Sequence, residues 1–286
     1  MRIAITGTTG YIGARLQHYM QRTHEITSIT RRGDKGLPSF DLCQPSTLQQ
    51  TLQHLDVDII IHTAAIARRQ QCTANPEAAY VANVEATKVI AEWARQRGIR
   101  LIFLSSLGIH EDNIYADTKR LAEQAIEDSG AMNTTIRLAY TFGFSPSFSN
   151  PKPMQRLEHE AHFPGSISFD DSWHFQPTSL EHVCHVIQAT VRNSKPPQEV
   201  NVVTIEATTM FEIASACLPH QIQACKDLKD RTEHFIPKTH LSDHELPQCN
   251  ISSFFVEVCK VIKHTLDTEV NSKGKSIIGI DYCPIG

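Results

Sequence analysis

Several familiar sequence patterns are missing from this chain of 286 residues, and each absence excludes a class of protein. Its eight cysteines include no C-x-x-C pair, which is the spacing of zinc knuckles and redox dithiols. We therefore expect the cysteines to be reduced and most of them to serve as packing residues. No apolar run approaches the roughly 18 residues of a membrane-spanning helix, and we expect no membrane partner. The net charge of −4 and the shortness of the basic runs argue against nucleic acid as a partner.

Metal ligands in a recognisable spacing are also missing. The fifteen histidines show no H-E-x-x-H or similar pattern, so we expect no metal site. A signal peptide would begin with a charged segment followed by a long apolar one. This chain instead opens on a short strand-like run at Ile3, Ala4 and Ile5, and we expect a cytoplasmic protein.

What the sequence does contain is an alternation of short apolar runs with longer segments of helical period, from residue 1 to about 140. The predicted strands are 2–6, 25–30, 58–62, 100–105 and 133–138. The predicted helices are 11–22, 46–54, 76–97 and 115–129. This alternation is typical of a parallel sheet covered by helices, so we predict an α/β fold with a doubly wound, Rossmann-type sheet.

After Gly143 the sequence becomes rich in turns, which indicates a change of organisation. We predict a Rossmann domain over 1–143 and a small substrate lobe over 144–286, with 175–205 returning to the Rossmann core. Within the second half we expect a helix at 178–192, a late strand at 200–204 and a second helix at 209–217. From about 265 the chain is polar, with a possible edge strand at 277–280.

A glycine-rich loop directly follows the first predicted strand and opens a helix near Tyr11. Glycine lets the backbone approach a pyrophosphate closely, and the amides at a helix N-terminus favour negative charge. An ordinary turn is the alternative. The expected cofactor contacts in this loop are Gly7, Thr9, Gly10, Tyr11, Ile12 and Gly13.

The end of the second strand distinguishes NADP from NAD. An NAD enzyme usually has an acidic residue there for the ribose hydroxyls, whereas this chain has Arg31 and Arg32. A guanidinium can bind a 2′-phosphate, so NADP is favoured, with two solvated surface arginines as the alternative. Asp41, followed by Leu42, could accept a hydrogen bond from the adenine amine or could simply be a turn residue.

Tyr115 and Lys119 are the candidate catalytic pair, because a spacing of four places both on one face of a helix. A nearby cation lowers the pKa of a phenol and makes Tyr115 a usable proton donor or base. Ser105 and Ser106 end a buried strand just upstream, where the carboxyl end of a strand meets a cofactor. Without them the pair would indicate only an amphipathic helix.

At these residues the chain resembles the extended short-chain dehydrogenases/reductases of the NAD(P)-dependent epimerase/dehydratase group, over nearly its whole length. Four separated motifs carry the resemblance: the glycine loop, residues 62–65, the serines with the tyrosine and lysine, and residues 137–143. The resemblance implies that Lys119 binds the nicotinamide ribose and that Ser106, or alternatively Ser105, polarises a substrate carbonyl. It also implies that the motif containing Leu138 passes the nicotinamide.

The same resemblance assigns further cofactor-pocket residues. It places His62, Ala64 and Ala65 there, and His62 stands where the family often has an asparagine, so it need not titrate. Asn83 matches a family asparagine that braces the active site or the cofactor, with a capping or surface role as the alternative.

One departure is the short connection of eight residues between Ser106 and Tyr115, where extended family members commonly have a longer loop. Some deoxysugar reductases of the group resemble this chain in that respect. The turn at Pro177 and Thr178 also resembles the corresponding turn of dTDP-4-dehydrorhamnose reductase. We therefore expect an NADP-dependent reductase of a keto group, most plausibly of a 4-keto-6-deoxy nucleotide sugar, with NADPH giving hydride and Tyr115 the proton.

Substrate contacts are expected in the second half of the chain. Arg156 offers a guanidinium for a diphosphate and Trp173 an indole for a sugar or base, with His159 and His174 as further candidates. A solvated arginine and a core tryptophan are the alternatives.

Four other functions stay open. They are a nucleotide-sugar epimerase with retained cofactor, a carbonyl reductase of a non-sugar substrate, a dehydratase, and a non-catalytic NADP-binding regulatory subunit. Dehydration is the least favoured, because Leu107 and Gly108 follow Ser106 where dehydratases of the group carry an Asp-Glu pair. By resemblance we also expect a homodimer through helices 76–97 and 115–129.

Overall fold

A computed structural model describes residues 1–33, 39–147, 154–162, 167–218, 222–226, 236 and 246–272 of the chain. The statements below concern these residues. The edge strand predicted at 277–280 lies outside them.

The described residues form strands and helices in alternation. The strands are β1 (Arg2–Thr6), β2 (Glu25–Ile29), β3 (Ile59–His62), β4 (Arg100–Ser106), β5 (Asn133–Leu138), β6 (Thr141–Phe142), β7 (Ser168–Asp170), β8 (Thr178–Ser179), β9 (Glu199–Val202) and β10 (Gln223–Cys225). The α-helices are α1 (Tyr11–Met20), α2 (Pro45–Gln53), α3 (Arg69–Ala74), α4 (Pro76–Tyr80), α5 (Ala86–Arg97), α6 (Ile114–Ser129), α7 (Met154–His162), α8 (Leu180–Arg192), α9 (Met210–Cys217) and α10 (Ile251–Ser272). A π-helical turn spans Val81–Glu85, and a 3₁₀ turn spans Leu107–His110.

Six parallel strands make the central sheet, in the order β2-β1-β3-β4-β5-β9. Two small two-stranded sheets, β10 with β7 and β6 with β8, lie outside it. The predicted α/β class with a parallel Rossmann-type sheet is confirmed.

Both faces of the sheet are covered, which explains why the central strands β1, β3 and β4 are largely apolar. Ile3 and Ile5 of β1 pack with α1 and α8, whereas Ala4 between them packs on the other side with α2, α5 and α6. The same alternation sends Ile59 and Ile61 to one face and Ile60 to the other. The sheet is therefore doubly wound.

A third apolar cluster lies in the second half of the chain. It surrounds Phe142, Phe169 and Phe254, and α7, α9 and α10 supply most of its members. Helix α10 was not predicted, and it continues to Ser272, past the start of the predicted polar tail. The strand β9 and the helix α8 come from this half of the sequence yet complete the central sheet and its cover. The division into two domains stays a prediction.

The long helix predicted at 76–97 is divided. It consists of α4, the π-helical turn and α5 in direct succession. Isolated π-helical turns inside α-helices occur frequently at functional sites. Asn83 lies in this one, and its side chain makes the contacts described below.

Two valines of α10 allow a test of the packing in the third apolar cluster. Val258 is fully buried and Val256 is 54% exposed, two positions away on the same helix. We expect Val258→Ala to lower the free energy of unfolding by about 2 kcal/mol, through lost burial and a residual cavity. Val256→Ala should stay within about 0.5 kcal/mol of the parent chain. Urea unfolding measures both, and equal losses would contradict the packing of α10 described here.

Candidate active site

The glycine loop between β1 and α1 is a close-packed backbone cradle. Gly7 has a φ of 74°, and a Cβ there would lie 2.9 Å from both the Cα of Ala64 and the Oγ1 of Thr63. A Cβ at Gly13 would fall on the carbonyl of Gly7. The amide of Gly10 donates to the carbonyl of Gly7 at 2.8 Å and closes the turn. Only glycine therefore fits at positions 7 and 13.

The N-terminus of α1 points its free amides out of this cradle. Gly10 is the N-cap and has no side chain to cap them, and the first turn contains no acidic residue. The Tyr11 hydroxyl donates to the carbonyl of Gly143 at 2.7 Å, and Ser145 donates to the carbonyl of Tyr11 at 2.6 Å. The segment after β6 therefore lies directly against the loop, and an anion would be favoured at the uncapped amides.

After β2 the chain carries two exposed arginines and then forms a turn. Arg31 and Arg32 are both exposed. Asp41 accepts the amide hydrogen of Cys43 on its Oδ1 at 3.0 Å, which is the geometry of an Asx turn. Leu42 packs against the core beneath it. The turn role proposed as the alternative for Asp41 is thus present in this structure.

Ser106 and Tyr115 meet at the carboxyl end of β4. The Oγ of Ser106 accepts the amide of Gly108 at 3.0 Å, and the Ser106 hydroxyl lies close enough to Tyr115 to have a lowering effect on the pKa of that phenol. Asn113 caps α6 by accepting the amide of Ala116 at 3.0 Å, which places Tyr115 in the first turn of that helix. The Oγ of Ser105 is buried and has no hydrogen-bond partner among the described residues. Of the two serines, Ser106 is thus the one that acts on Tyr115.

Lys119 lies one turn further along α6, buried at 3% exposure. Its Nζ donates to the carbonyl of Leu104 at 2.7 Å and lies 4.0 Å from the ring centroid of Phe103. Burial lowers the pKa of Lys119 to about 7, against a smaller opposite effect of Glu123. The ammonium form is thus costly to hold in the site without a further partner.

The pKa of Tyr115 corrects the prediction. We expected a neighbouring cation to lower it, whereas in the structure burial raises it and outweighs the lowering effect of the nearby Ser106 hydroxyl. The Lys119 ammonium is directed to a strand carbonyl, and the cation that does act on Tyr115 is Arg69. In this state the phenol is held protonated.

His62 is neutral, and its hydrogen bonds fix its tautomer. Thr87 donates its hydroxyl hydrogen to the carbonyl of Asn83 at 2.7 Å, so it must accept from Nε2 of His62 at 3.2 Å. Nδ1 then accepts from the hydroxyl of Thr6 at 2.8 Å. Burial, with a smaller effect of the Lys119 charge, lowers the pKa of His62 to about 3. The prediction that this residue need not titrate agrees with its surroundings.

Asn83 joins the loop after β3 to α6. Its Oδ1 accepts the amide of Ile66 at 2.8 Å, and its Nδ2 donates to the carbonyl of Ile66 and to the hydroxyl of Thr118, both at 3.0 Å. Thr118 in turn donates to the carbonyl of Tyr115 at 2.8 Å. Asn83 is therefore a buried bracing residue and not a surface one.

The remaining predicted cofactor residues border this network. Ala64 donates its amide to the hydroxyl of Thr6 at 3.2 Å, and Ala65 follows it in the same half-buried loop. Leu138 ends β5 beside Ser106, with which it is in register. All three lie at the carboxyl edge of the sheet.

The predicted substrate residues are more dispersed. Arg156 lies 4.3 Å over the ring of Phe169 and donates to the carbonyl of Ser168 at 3.1 Å. Trp173 stacks on Phe175 at 4.4 Å between ring centroids. His159 and His174 are exposed. Among these residues, Trp173 belongs to an aromatic group next to the sheet edge.

Sequence reasoning missed Tyr140, which belongs to that aromatic group. It follows β5 by two residues, is 49% exposed, and packs edge to face with Trp173 at 6.2 Å and with Phe175 at 5.9 Å. An exposed aromatic residue at the carboxyl end of a strand was the available signal. Arg69 was also missed; it pairs with Glu111 at 2.6 Å beside the Tyr115 phenol.

Comparison with known proteins agrees with this arrangement. Residues 1–238 match the family described as the RmlD substrate binding domain. The chain belongs to this family.

Relatives and a solved structure extend the comparison. The RmlD-family chain is 26% identical over 157 residues to a dTDP-4-dehydrorhamnose reductase of Sinorhizobium fredii, covering 50% of this chain and 51% of the relative. It is 25% identical over 158 residues to methionine adenosyltransferase 2 subunit beta of Bos taurus, covering 50% and 47%. The chain thus spans about half the length of these two curated relatives.

A dTDP-4-dehydrorhamnose reductase of Bacillus anthracis, solved in complex with NADP, superposes with a TM-score of 0.72. The identity is 20%, and the alignment covers 92% of this chain and 98% of that one. At this identity the likeness establishes the fold shared with the RmlD family.

In the described part of this RmlD-family chain, no helix is long and apolar enough to cross a membrane. Within the same residues, no three or more histidine, cysteine or acidic side chains gather where they could hold a metal ion.

The buried His62 makes stability depend on pH. Its pKa is 6.5 when free and about 3 in the folded protein, so below pH 6.5 the unfolded chain binds a proton that the folded one does not. We expect the free energy of unfolding to fall by about 1 kcal/mol from this residue over the first pH unit below 6.5. Urea unfolding should show this contribution in the parent chain and its loss in His62→Asn. The exposed-site variant His54→Asn should keep it, and an unchanged slope in His62→Asn would contradict the assignment.

Proposed function

We propose that this chain is an NADP-dependent oxidoreductase that reduces a keto group of a 4-keto-6-deoxy nucleotide sugar. The observation that carries the proposal is the neighbouring position of Ser106 and Tyr115 at the carboxyl edge of the sheet, with Lys119 one helical turn away. Proton-transfer groups held together at this edge are suited to reaction with a dinucleotide bound there.

The residues of the glycine loop fit an NADP molecule. A Cβ would fill the cradle at Gly7 and Gly13, and no side chain caps the N-terminal amides of α1. Arg31 and Arg32 are exposed where a 2′-phosphate would need cations. When bound, NADPH supplies the hydride for the reduction.

The chain's own groups supply the proton and the orientation. Tyr115, held protonated by burial, gives its proton to the substrate oxygen, and Ser106 donates a hydrogen bond to the same oxygen. An ammonium has three donors, and one of those on Lys119 reaches Leu104. The others are free to orient hydroxyl groups of a bound ribose.

Substrate recognition is proposed at the aromatic group of Tyr140, Trp173 and Phe175. An exposed ring at the sheet edge offers an apolar face to a sugar or a base. Arg156 and His174 are proposed as further contacts to the anionic part of the substrate. The reductase relatives and the family match support a sugar-nucleotide substrate.

We further propose that the protein is a cytoplasmic homodimer joined through α4, α5 and α6. These helices carry Tyr80 and Leu121, which are 42% and 46% exposed despite being large and apolar. Exposed apolar side chains on these helices support a subunit interface there.

A second candidate function is a non-catalytic, NADP-binding regulatory subunit. The observation that favours it is the similarity to methionine adenosyltransferase 2 subunit beta. In that case the dinucleotide would bind and no keto substrate would be reduced.

Tyr115→Phe separates the two functions. The variant keeps the ring and loses the proton, so we expect kcat for a 4-keto-6-deoxy nucleotide sugar to fall by a factor of about 10²–10⁴ with little change in NADPH affinity. The loss of NADPH absorbance measures turnover, and fluorescence titration measures affinity. Tyr80→Phe removes an equivalent hydroxyl from exposed α4 and should retain parent activity.

The outcomes are distinguishable. Parent turnover with loss in Tyr115→Phe supports the reductase. NADPH binding without turnover by the parent chain supports the regulatory subunit. Turnover that survives in Tyr115→Phe would remove Tyr115 from the mechanism, and failure to bind either dinucleotide would contradict both functions.

Arg31 and Arg32 make the preference for NADP testable. Charge-assisted hydrogen bonds to a phosphate contribute about 1.5–3 kcal/mol, so Arg31→Ala with Arg32→Ala should raise the Kd for NADPH by about 10- to 100-fold. The Kd for NADH should change little. A control with the same charge change, Arg95→Ala with Arg97→Ala at the end of α5, should leave both values near those of the parent. Equal weakening of both cofactors by the first pair would contradict a 2′-phosphate contact.

A further inference from the structure

Two cysteines outside the active site lie in direct contact. Cys217 is the last residue of α9, and Cys259 lies in the middle of α10. Their sulfur atoms are 2.6 Å apart, although the residues are 42 positions apart in sequence. Sulfur is larger than nitrogen or oxygen, yet this distance is shorter than the roughly 2.9 Å of an ordinary N–H···O hydrogen bond.

We propose that Cys217 and Cys259 are a redox-modification site that forms a disulfide joining α9 to α10. A disulfide needs side chains that already face each other at close range, which the packing of the two helices provides. Both residues are half-buried at the border of the third apolar cluster, so a small oxidant can reach them. The sequence shows no C-x-x-C spacing, and only the fold brings this pair together.

The two thiols have different roles in the reaction. The hydrogen bond from Cys217 lowers the pKa of Cys259, while the same bond and burial raise the pKa of Cys217. In its protonated form Cys259 donates to the carbonyl of Ala216 at 3.3 Å, a bond that is given up when the thiolate forms. Because the thiolate is the nucleophile in thiol–disulfide exchange, Cys259 reacts first and Cys217 resolves.

With glutathione disulfide as the oxidant, the Cys259 thiolate attacks one of its sulfurs and releases one glutathione thiolate. The Cys217 thiol then loses its proton and attacks the Cys259 sulfur of the mixed disulfide, which expels the second glutathione. Two protein thiols are oxidised, one glutathione disulfide is reduced, and the two protons end on the two glutathione molecules.

The crosslink would strengthen a part of the fold that reaches the active site. Phe254 of α10 packs edge to face on Phe142 at 5.4 Å, and Gly143 next to it accepts the Tyr11 hydroxyl of the glycine loop. Closing a long loop also lowers the entropy of the unfolded chain. Oxidation should therefore stabilise the third apolar cluster, to which α9 and α10 contribute.

The test uses the full folded chain in a series of glutathione redox mixtures. Free thiols are then blocked with N-ethylmaleimide, and the protein is digested and analysed by mass spectrometry without reduction. We expect a linked pair of peptides containing Cys217 and Cys259, two fewer blocked thiols per chain, and a thermal unfolding midpoint raised by several degrees until a reductant is added.

Matched variants identify the two cysteines that form the disulfide. Cys259→Ser and Cys217→Ser should each lose the linked peptides and the stabilisation, whereas Cys225→Ser, at an exposed cysteine, should retain both. Cys217→Ser should trap Cys259 as a mixed disulfide with glutathione. The proposal is overturned if the linked peptides are absent from every mixture in which exposed Cys43 and Cys225 become glutathionylated, or if Cys225→Ser abolishes the link.

Discussion

A chain of buried hydrogen bonds holds the candidate site together. It runs from Thr6 through His62, Thr87 and Asn83 to Thr118, and so connects the ends of β1 and β3 with helix α6, which carries Tyr115 and Lys119. A buried polar group left without a partner costs free energy comparable to a lost hydrogen bond, so each member fixes the position of the next. The glycine cradle and the Tyr115 backbone therefore share one rigid frame.

Around that frame, burial favours the neutral form of every titratable side chain in the centre. The pKa of His62 and that of Lys119 are lowered, and that of Tyr115 is raised. Groups with shifted pKa values cluster at functional sites. The low dielectric that shifts the pKa values also strengthens the interactions of these groups with a bound charged molecule. The packing of two apolar clusters on the sheet faces compensates for this cost in the free protein.

The second half of the chain is not an independent appendage of this frame. It contributes β9 to the sheet edge, α8 to one face, and the Ser145 hydroxyl to the Tyr11 carbonyl. The half-buried ion pair between Arg15 and Glu181 adds a polar contact between α1 and α8. The loop that is proposed to hold the pyrophosphate is thus in direct contact with both halves of the chain.

The sequence by itself determined the α/β class, the glycine turn and the shared helix face of Tyr115 and Lys119, since these depend on periodicity and spacing within a few residues. Helix α10 was missed even though Phe254, Val258, Val261 and Ile262 have a helical period. Only the tertiary structure decided the position of Ser106 beside Tyr115, the raised pKa of Tyr115, the bracing contacts of Asn83 and the meeting of Cys217 with Cys259. Each of these is set by burial and by contacts between residues distant in sequence, which no local pattern specifies.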